Sequence, residues 1–409
     1  MNKFSLASVA ALVAASAVAA NPETEKKDSV EGFKFTTVDS VAITPIKNQK
    51  NAGTCWSYSG LSFLESEVLR TKGKVYDFSE MFVVENTYMD RADKAVRMHG
   101  DVSFSQGGSF CDIMYCLRNY GLVPDSEMPA GVMYGDTLSN HRELSAMTDP
   151  LVKAAANANK LQFSPDGEPL WKKAVRAVHE IYLGKMPESF KYEGKEYTPK
   201  TFAASTGLNP DDYVSITSFT HHPYSTGANL GKGFIIEVQD NWRWGESLNL
   251  ELADMMAIID NAIKEGYTVL WGGDVSEDGF TRDGLAVWPD MEAPDAPGMD
   301  QARWLKMDRK SKGAELTKRP LPQKAVTAET RQRGYDNFET TDDHGMHLFG
   351  TAKDQNGNKY YMIKNSWGKT GKYDGIWYMT PEFCAAKTLN YVVNKNAVPK
   401  ELRKKYGIQ

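Results

Sequence analysis

The composition of this 409-residue chain is that of a globular protein with a full hydrophobic core. Hydrophobic residues make up 41% and charged residues 25% of the sequence, which are ordinary values for such proteins, and length alone suggests two or three domains. The 48 basic and 53 acidic side chains give a formal net charge of −5. This charge argues against nucleic acid as a main partner.

Residues 1–20 predict a secretory signal peptide. Lys3 supplies a positive start, an Ala-rich apolar run follows over residues 4–17, and small side chains precede the expected cleavage after Ala20. The run is short for an uncleaved membrane anchor, and no later stretch is long and apolar enough to cross a bilayer. We therefore expect an exported protein, periplasmic or secreted, without a membrane anchor once the signal is removed. Residues 21–32 are charged and polar and predict a flexible arm.

Residues 33–125 are predicted to be mostly helical. One helix should begin at Cys55 and end at Gly73, because glycine is the usual residue just past a helix C-terminus. Ser79 can cap a second helix, and a third is predicted over residues 109–120.

Residues 126–330 show mixed patterns and are predicted to contain an insertion followed by the start of a β-rich part. Helical spacing of apolar residues and short apolar runs predict helices over 149–160, 171–183 and 252–264, and strands over 233–238 and 267–271. The stretch 289–324 is rich in Pro, Lys and Met and predicts a surface connection.

Residues 331–409 are predicted to form a β part that opens with a hairpin. Two apolar runs, 348–350 and 360–363, flank Asn356-Gly357, and Asn-Gly is the strongest short hairpin signal. His344 precedes the first strand and Asn365 closes the second. Both residues should therefore lie near the open end of the hairpin, where they can meet.

Cys55 is the candidate nucleophile. A thiol at a helix N-terminus lies at the positive end of the helix dipole, so we expect a lowered pKa. Thiolate acyl chemistry also needs a base and a group that orients it, and His344 with Asn365 are the best-placed pair. The side-chain amide of Gln49 could stabilise an oxyanion together with the backbone N–H of Cys55. The alternative for a lone cysteine is a buried structural side chain.

Other histidines and a metal site are weaker candidates. His347 competes with His344, but strand alternation places the two on opposite faces, so at most one can face a given cleft. His221 and His222 lie in an irregular stretch and are interpreted as surface or structural residues. A metal site is improbable because the sequence has no histidine pair at helical i, i+4 spacing with a nearby acid and no C-x-x-C pair. Trp367 could cover the bond between His344 and Asn365 and exclude water.

The four cysteines do not predict a clear disulfide. Cys111 and Cys116 lie five residues apart on one predicted helix, about 140° apart around its axis, so they cannot readily bridge. Cys384 could pair with one of them. Cys55 is interpreted as a free thiol.

Three segments resemble, in the same order, the catalytic segments of papain-family cysteine peptidases: Gln49 with Gly53-Thr54-Cys55-Trp56, then Asp343-His344-Gly345, then Lys364-Asn365-Ser366-Trp367-Gly368. The resemblance implies an α+β, papain-like fold in which a helical subdomain and a β-barrel-like subdomain enclose a cleft. By position it also implies the catalytic roles, namely nucleophile Cys55, general acid/base His344, orienter Asn365 and oxyanion donor Gln49. Substrate-binding residues would be Gly107 and Gly108, which match the glycine pair lying along the bound peptide, and Trp367.

A narrower resemblance is to the bleomycin hydrolase and aminopeptidase C branch of that family. Residues 45–56, 120–124, 269–275 and 392–399 carry it, together with an insertion of roughly 200 residues between the glycine pair and His344. It implies a single papain-like domain over residues 33–409, peptide substrates, no cofactor and a homohexamer. In the branch, a C-terminal arm extends into the cleft and restricts cleavage to the peptide N-terminus, whereas this sequence ends soon after the last matching segment.

The sequence therefore predicts an exported cysteine aminopeptidase, with three alternatives. An endopeptidase or oligopeptide-releasing peptidase would need an open cleft. An inactive peptide-binding or scaffold protein would keep the fold without the chemistry. A transglutaminase-like acyl transferase would be expected to use Asp as the orienting residue, and Asn365 with Gln49 argues against it.

Overall fold

A mixed β-sheet of ten strands forms the centre of the structure, and helices cover it. The structure, a computed structural model, describes residues 32–220, 230–292 and 301–409. The predicted signal peptide, nearly all of the predicted arm, and His221 with His222 lie outside the described residues. Residues 32–409 cluster into one compact unit. No helix in the described part is long and apolar enough to span a membrane.

The first part of the chain is helical, as predicted. After strand β1 (Thr36–Ser40) come three helices: α1 (Cys55–Lys72), α2 (Glu80–Arg97) and α3 (Phe110–Asn119). Gly73 adopts the left-handed conformation that ends α1, and the Ser79 hydroxyl accepts the Phe82 N–H at the start of α2. Helix α1 is buried from Trp56 to Val68 because it is packed between the sheet and the other two helices.

The insertion contains three helices and a small hairpin: α4 (Arg142–Ala156), α5 (Leu170–Leu183), β2 (Phe190–Tyr192), β3 (Lys195–Tyr197) and α6 (Pro199–Thr206). The predicted start of α4 at residue 149 is wrong. Proline is common at the first position of a helix, but the structure carries Pro150 inside this one. Burial of Leu144 and Val152 on one face outweighs the backbone hydrogen bond that the proline cannot donate.

The large sheet contains nine further strands: β4 (Tyr213–Thr217), β5 (Gly233–Ile235), β6 (Glu246–Asn249), β7 (Val269–Gly273), β8 (Leu285–Ala286), β9 (His344–Lys353), β10 (Lys359–Lys364), β11 (Ile376–Met379) and β12 (Thr388–Asn394). Their order is β5-β6-β4-β12-β7-β9-β10-β11-β8, and β1 pairs with β9. The pairs β4–β6 and β8–β11 are parallel, and the others are antiparallel.

The remaining helices cover the second half of the chain: α7 (Leu252–Lys264), α8 (Gln301–Lys306), α9 (Arg309–Leu316), α10 (Ala328–Asp336), α11 (Pro381–Lys387) and α12 (Lys400–Tyr406). The prediction that 289–324 is only a surface connection is therefore wrong. The Asp308 carboxylate caps α9 through the Ser311 N–H, and Trp304 and Leu316 are buried in an apolar cluster with Phe33.

The predicted hairpin places the candidate residues. Strands β9 and β10 pair antiparallel, with a turn in which the Asp354 carboxylate accepts the backbone N–H groups of Asn356 and Asn358. His344 is the first residue of β9, and Asn365 directly follows β10. Helix α1 packs against β9, so the helix that starts at Cys55 lies against the strand that starts at His344.

An aromatic cluster holds the β2–β3 hairpin and α6 onto the first helices, with Phe202 at its centre. The Phe202 ring contacts the rings of Tyr76, Phe78, Phe190, Tyr192 and Tyr197, and its side chain is fully buried. We expect Phe202→Ala to lower the free energy of unfolding by about 3–5 kcal/mol, because it removes a buried ring and leaves a cavity. Urea unfolding measures this change. The matched control is Phe163→Ala, where the ring is 59% exposed. An equal loss in both variants would contradict the packing role.

Candidate active site

Cys55 is the first residue of α1, and a hydrogen-bonded loop before the helix fixes its position. The Gln49 N–H donates to the Ser366 carbonyl (2.8 Å) and the Gly368 N–H donates to the Lys47 carbonyl (3.0 Å). These bonds tie the loop before Cys55 to the segment that follows β10. The loop therefore carries Gln49 and Cys55 to the end of the sheet where Asn365 lies.

His344 and Asn365 form the hydrogen bond that the hairpin predicts. His344 Nε2 lies 2.8 Å from Asn365 Oδ1, and the same oxygen accepts the Ser366 N–H at 2.8 Å. Because this backbone N–H can only donate, it identifies the Asn365 atom as the oxygen, so Nε2 carries the ring hydrogen. Nδ1 is then the ring nitrogen available to accept a proton. The Trp367 ring lies 4.8 Å from the imidazole, measured between centroids, and covers it.

Both polar atoms of the Gln49 side-chain amide form hydrogen bonds. Nε2 donates to the Ala52 carbonyl (2.8 Å), and Oε1 accepts the Ser366 hydroxyl (2.6 Å). A primary amide has two N–H groups, so one remains to interact with a ligand in the cavity that Gln49 lines.

A single cavity of about 690 Å³ brings the predicted residues together. Its lining includes six of the seven, namely Gln49, Cys55, Gly107, Gly108, His344 and Trp367, while Asn365 lies behind His344. The backbone N–H groups of Gly345 and Trp56 act on the Cys55 sulfur as hydrogen-bond donors that lower the thiol pKa. Since Gly345 directly follows His344, the Cys55 thiol lies at the start of β9, in the cavity that the imidazole also lines.

The prediction of a lowered Cys55 pKa is wrong. Burial raises the pKa of the thiol to about 12, and the carboxylates of Asp342 and Asp240 add to the effect, against the Gly345 and Trp56 N–H groups. Burial also lowers the pKa of His344 to about 4, against the hydrogen bond to Asn365. Desolvation thus outweighs the helix dipole. These shifts favour a neutral thiol at Cys55 and a neutral imidazole at His344 at neutral pH.

The other histidines and cysteines lie outside this arrangement. His347 points to the opposite side of β9, where its Nδ1 lies 2.8 Å from the Ser62 hydroxyl. All four cysteines are free thiols, so the pairing of Cys384 that the sequence left open is not formed. Cys111 lines the cavity. Among the described residues no cluster of His, Cys, Asp or Glu is suited to a metal ion.

Sequence reasoning missed a buried lysine that ties the site together. The Lys364 ammonium donates to the Thr44 carbonyl (2.9 Å) and to the Ser62 hydroxyl (2.8 Å), and Thr44 in turn donates to Glu65. The end of β10, the loop before Cys55 and helix α1 are thereby connected. Burial lowers the pKa of Lys364 to about 8. The sequence signal that could have identified Lys364 was its position directly before Asn365, at the end of an apolar strand.

Two of the four carboxyl groups that line the cavity were also missed, namely those that act on Cys55. Asp342 and Asp240 both line it. The pair of acids directly before His344 was visible in the sequence, whereas nothing in the pattern around residue 240 indicates that this side chain reaches the site.

A family model described as the peptidase C1-like family matches residues 2–316 and 324–409. The chain belongs to this family of cysteine peptidases, and the predicted resemblance is confirmed.

Its relatives include aminopeptidases and a proteinase. The chain is 23% identical to aminopeptidase G of Lactobacillus delbrueckii subsp. lactis over 394 residues, covering 87% of this chain and 82% of the relative. It is 24% identical to aminopeptidase C of Lactococcus lactis subsp. cremoris over 402 residues, with the same coverage. It is 23% identical to mitochondrial cysteine proteinase 1 of Saccharomyces cerevisiae (strain YJM789) over 421 residues, covering 91% and 79%.

A solved structure shares the fold. The crystal structure of PepW from Lactobacillus rhamnosis HN001 superposes with a TM-score of 0.63 at 19% identity, covering 90% of this chain and 84% of that one. The predicted α+β, papain-like fold class is confirmed.

The histidine pKa offers a direct test of the His344–Asn365 bond. We expect the His344 ring to titrate near pH 4, so that it is neutral above this pH and becomes charged as the pH falls through it. Asn365→Ala removes the bond that favours the charged ring and should move the titration to lower pH. Histidine ring proton NMR measures both, with His344→Asn to assign the signal. A titration at pH 6.5 or above, or no response to Asn365→Ala, would contradict this geometry.

Proposed function

We propose that this protein is a cysteine aminopeptidase of the bleomycin hydrolase type, which hydrolyses peptide bonds near the free N-terminus through an acyl-enzyme. The observation that carries the proposal is the meeting of Cys55 with the His344–Asn365 pair in one cavity large enough for a short peptide. Relatives of 23–24% identity that are named aminopeptidase C and aminopeptidase G support the aminopeptidase assignment.

The acylation step follows from the tautomer of His344. Its Nδ1 takes the Cys55 proton while the sulfur attacks the peptide carbonyl carbon, so that the C–S bond forms and the carbonyl oxygen becomes an oxyanion. The remaining Gln49 N–H and the backbone N–H of Cys55 stabilise that charge. The imidazolium then gives its proton to the leaving amine as the C–N bond breaks.

Deacylation reverses these roles with water as the nucleophile. His344 takes a proton from water as the oxygen attacks the thioester, and it returns the proton to the Cys55 sulfur as the C–S bond breaks. Asn365 holds the ring plane throughout through its Oδ1. The Trp367 ring over the imidazole keeps water away from that bond.

Export and assembly are parts of the proposal that rest on sequence. The signal-like residues 1–20 support export to the periplasm or the medium. The branch resemblance supports a homo-oligomer. N-terminal sequencing of the exported protein tests export. Size-exclusion chromatography with light scattering tests the homo-oligomer.

Cys55→Ala and His344→Asn should each lower kcat/KM for an unblocked peptide by about 10⁴-fold or more, because nucleophile and base act as a unit. Peptide hydrolysis followed by chromatography measures the loss. The control for the histidine is His99→Asn, an exposed residue with positive φ that asparagine tolerates. An epoxide thiol inhibitor should label Cys55 and leave the other three cysteines unlabelled. Normal turnover in Cys55→Ala would end the proposal.

Gln49→Glu tests the oxyanion donor. Glutamate keeps an acceptor for the Ser366 hydroxyl but replaces the amide N–H groups by a carboxylate. We expect kcat to fall by about 10² to 10³-fold with little change in KM, since the lost interaction is made in the transition state. A variant with unchanged kcat would show that Gln49 is only a structural residue. Circular dichroism establishes that the variant is folded.

A further inference from the structure

Two of the four carboxyl groups that line the cavity act on the Cys55 thiol. Asp240 lies on the connection between β5 and β6, and Asp342 lies two residues before His344. Both line the cavity, and both are close enough to Cys55 to oppose loss of its proton. The reaction described above assigns neither of them a role.

Asp240 is fixed against the glycine pair. The fully buried Arg91 donates through Nη1 both to Asp240 Oδ1 (3.1 Å) and to the Gly107 carbonyl (2.6 Å). A Cβ atom placed on Gly107 would lie 1.9 Å from Asp240 Oδ2. The carboxylate therefore rests directly on the Gly107 Cα, and a peptide chain running past this point along the glycine backbone would have to displace it.

The Asp342 carboxyl group has no hydrogen-bond partner among the described residues. It makes no hydrogen bond or salt bridge with any other described residue, and solvent reaches it. Its neighbour Asp343 differs, because it accepts the N–H groups of Val275 and Ser276 and the Thr341 hydroxyl. Burial among protein atoms and the charges of Asp240 and Asp343 raise the pKa of Asp342 to about 7, while Arg91 opposes this.

The charges of the cavity do not balance. Four carboxyl groups line the cavity, and Arg91 offsets Asp240, which leaves Glu246, Asp342 and Asp343 without a salt-bridge partner among the described residues. Among the described lining residues the one lysine or arginine is Arg118, and it is paired with Asp211 (2.7 Å). A bound cation would reduce this excess of negative charge, and it would also weaken the repulsion that disfavours a negative Cys55 sulfur.

We propose that Asp240 and Asp342 form an ammonium subsite that binds the protonated α-amino group of the peptide substrate. This inference rests on the proposed function and names the feature of the substrate that the site recognises. A lysine side chain offers the same primary ammonium. We assign the subsite to the N-terminus because Asp240, pressed against Gly107, stands where the chain of an internal peptide would continue.

The subsite also connects binding with activation of the nucleophile. In the free protein both carboxylates disfavour negative charge on Cys55. When an ammonium group neutralises them, the proton leaves the sulfur more readily. A substrate with a free N-terminus thus promotes attack on its own peptide bond, whereas an N-acetylated peptide does not.

Asp342→Asn is the cleaner test, because it leaves the Arg91–Asp240 pair intact. Kinetics are measured with tetra-alanine, N-acetyl-tetra-alanine and N-acetyl-Lys-Ala-Ala-Ala. We expect the variant to lower kcat/KM for tetra-alanine by about 10- to 100-fold, mainly through KM, and to leave the acetylated peptides unchanged or slightly better. Asp39→Asn, an exposed carboxylate on β1, should behave as the wild type does.

The pH dependence of kcat/KM distinguishes a binding role of Asp342 from a merely structural one. For tetra-alanine, kcat/KM should rise as the pH increases through about 7, where Asp342 becomes charged facing Asp240, Arg91, Asp343 and Cys55. This limb should be absent in Asp342→Asn. Wild-type and variant profiles of the same shape would overturn the proposal.

Binding measurements test the ammonium subsite independently of the proposed peptidase activity. Calorimetry with Cys55→Ala needs no turnover, and tetra-alanine should bind at least about tenfold more tightly than its acetylated form. Equal affinities would overturn the subsite even if the enzyme is active, and tighter binding of the free peptide would support it even if hydrolysis fails. If N-acetyl-Lys-Ala-Ala-Ala binds as well as tetra-alanine, the assignment to the α-amino group is wrong.

Discussion

The structure depends on holding the N-terminus of α1 against the first residue of β9. Cys55 and His344 belong to distant parts of the chain, and in the proposed mechanism neither acts without the other. Helix α1 is buried on almost every side, which is unusual for a helix with so many polar residues. The bonds from Lys364 to Thr44 and Ser62 connect strand, loop and helix at their common end. The geometry is thus set by buried polar contacts as well as by apolar packing.

Those buried contacts have an electrostatic consequence. Desolvation disfavours a thiolate at Cys55, an imidazolium at His344 and an ammonium at Lys364 in the same way, by removing water from a charge. Burial therefore favours a neutral thiol at Cys55 and a neutral imidazole at His344, next to a cavity lining that is rich in carboxylates. Charge separation between sulfur and imidazole becomes favourable when opposite charges form close together, and the same low-polarity surroundings then strengthen their attraction. A cationic substrate group adds the missing positive charge.

The elements that could be predicted from sequence are those with local signals. Gly73 and Ser79 mark helix ends through backbone conformation and a capping hydroxyl, and Asn356-Gly357 marks a hairpin turn. Where tertiary packing decides, the local signal fails. Pro150 lies inside α4 because the apolar face of that helix extends on both sides of it, and two helices form within 289–324 because their apolar side chains find a partner surface that composition does not reveal.

The candidate catalytic residues were visible as motifs. Their charge states were not, since these depend on residues that are distant in the sequence but close in space. The thiol pKa was predicted from the helix dipole, a local effect, and desolvation by distant segments reverses it. Asp240 shows the same limit. The sequence makes Gly107 a candidate for lining a bound peptide, whereas the fold places an arginine-bound carboxylate on it. The absence of a side chain at Gly107 leaves room for a bound peptide. It also leaves room for Asp240, the carboxylate that we propose binds the N-terminus of that peptide.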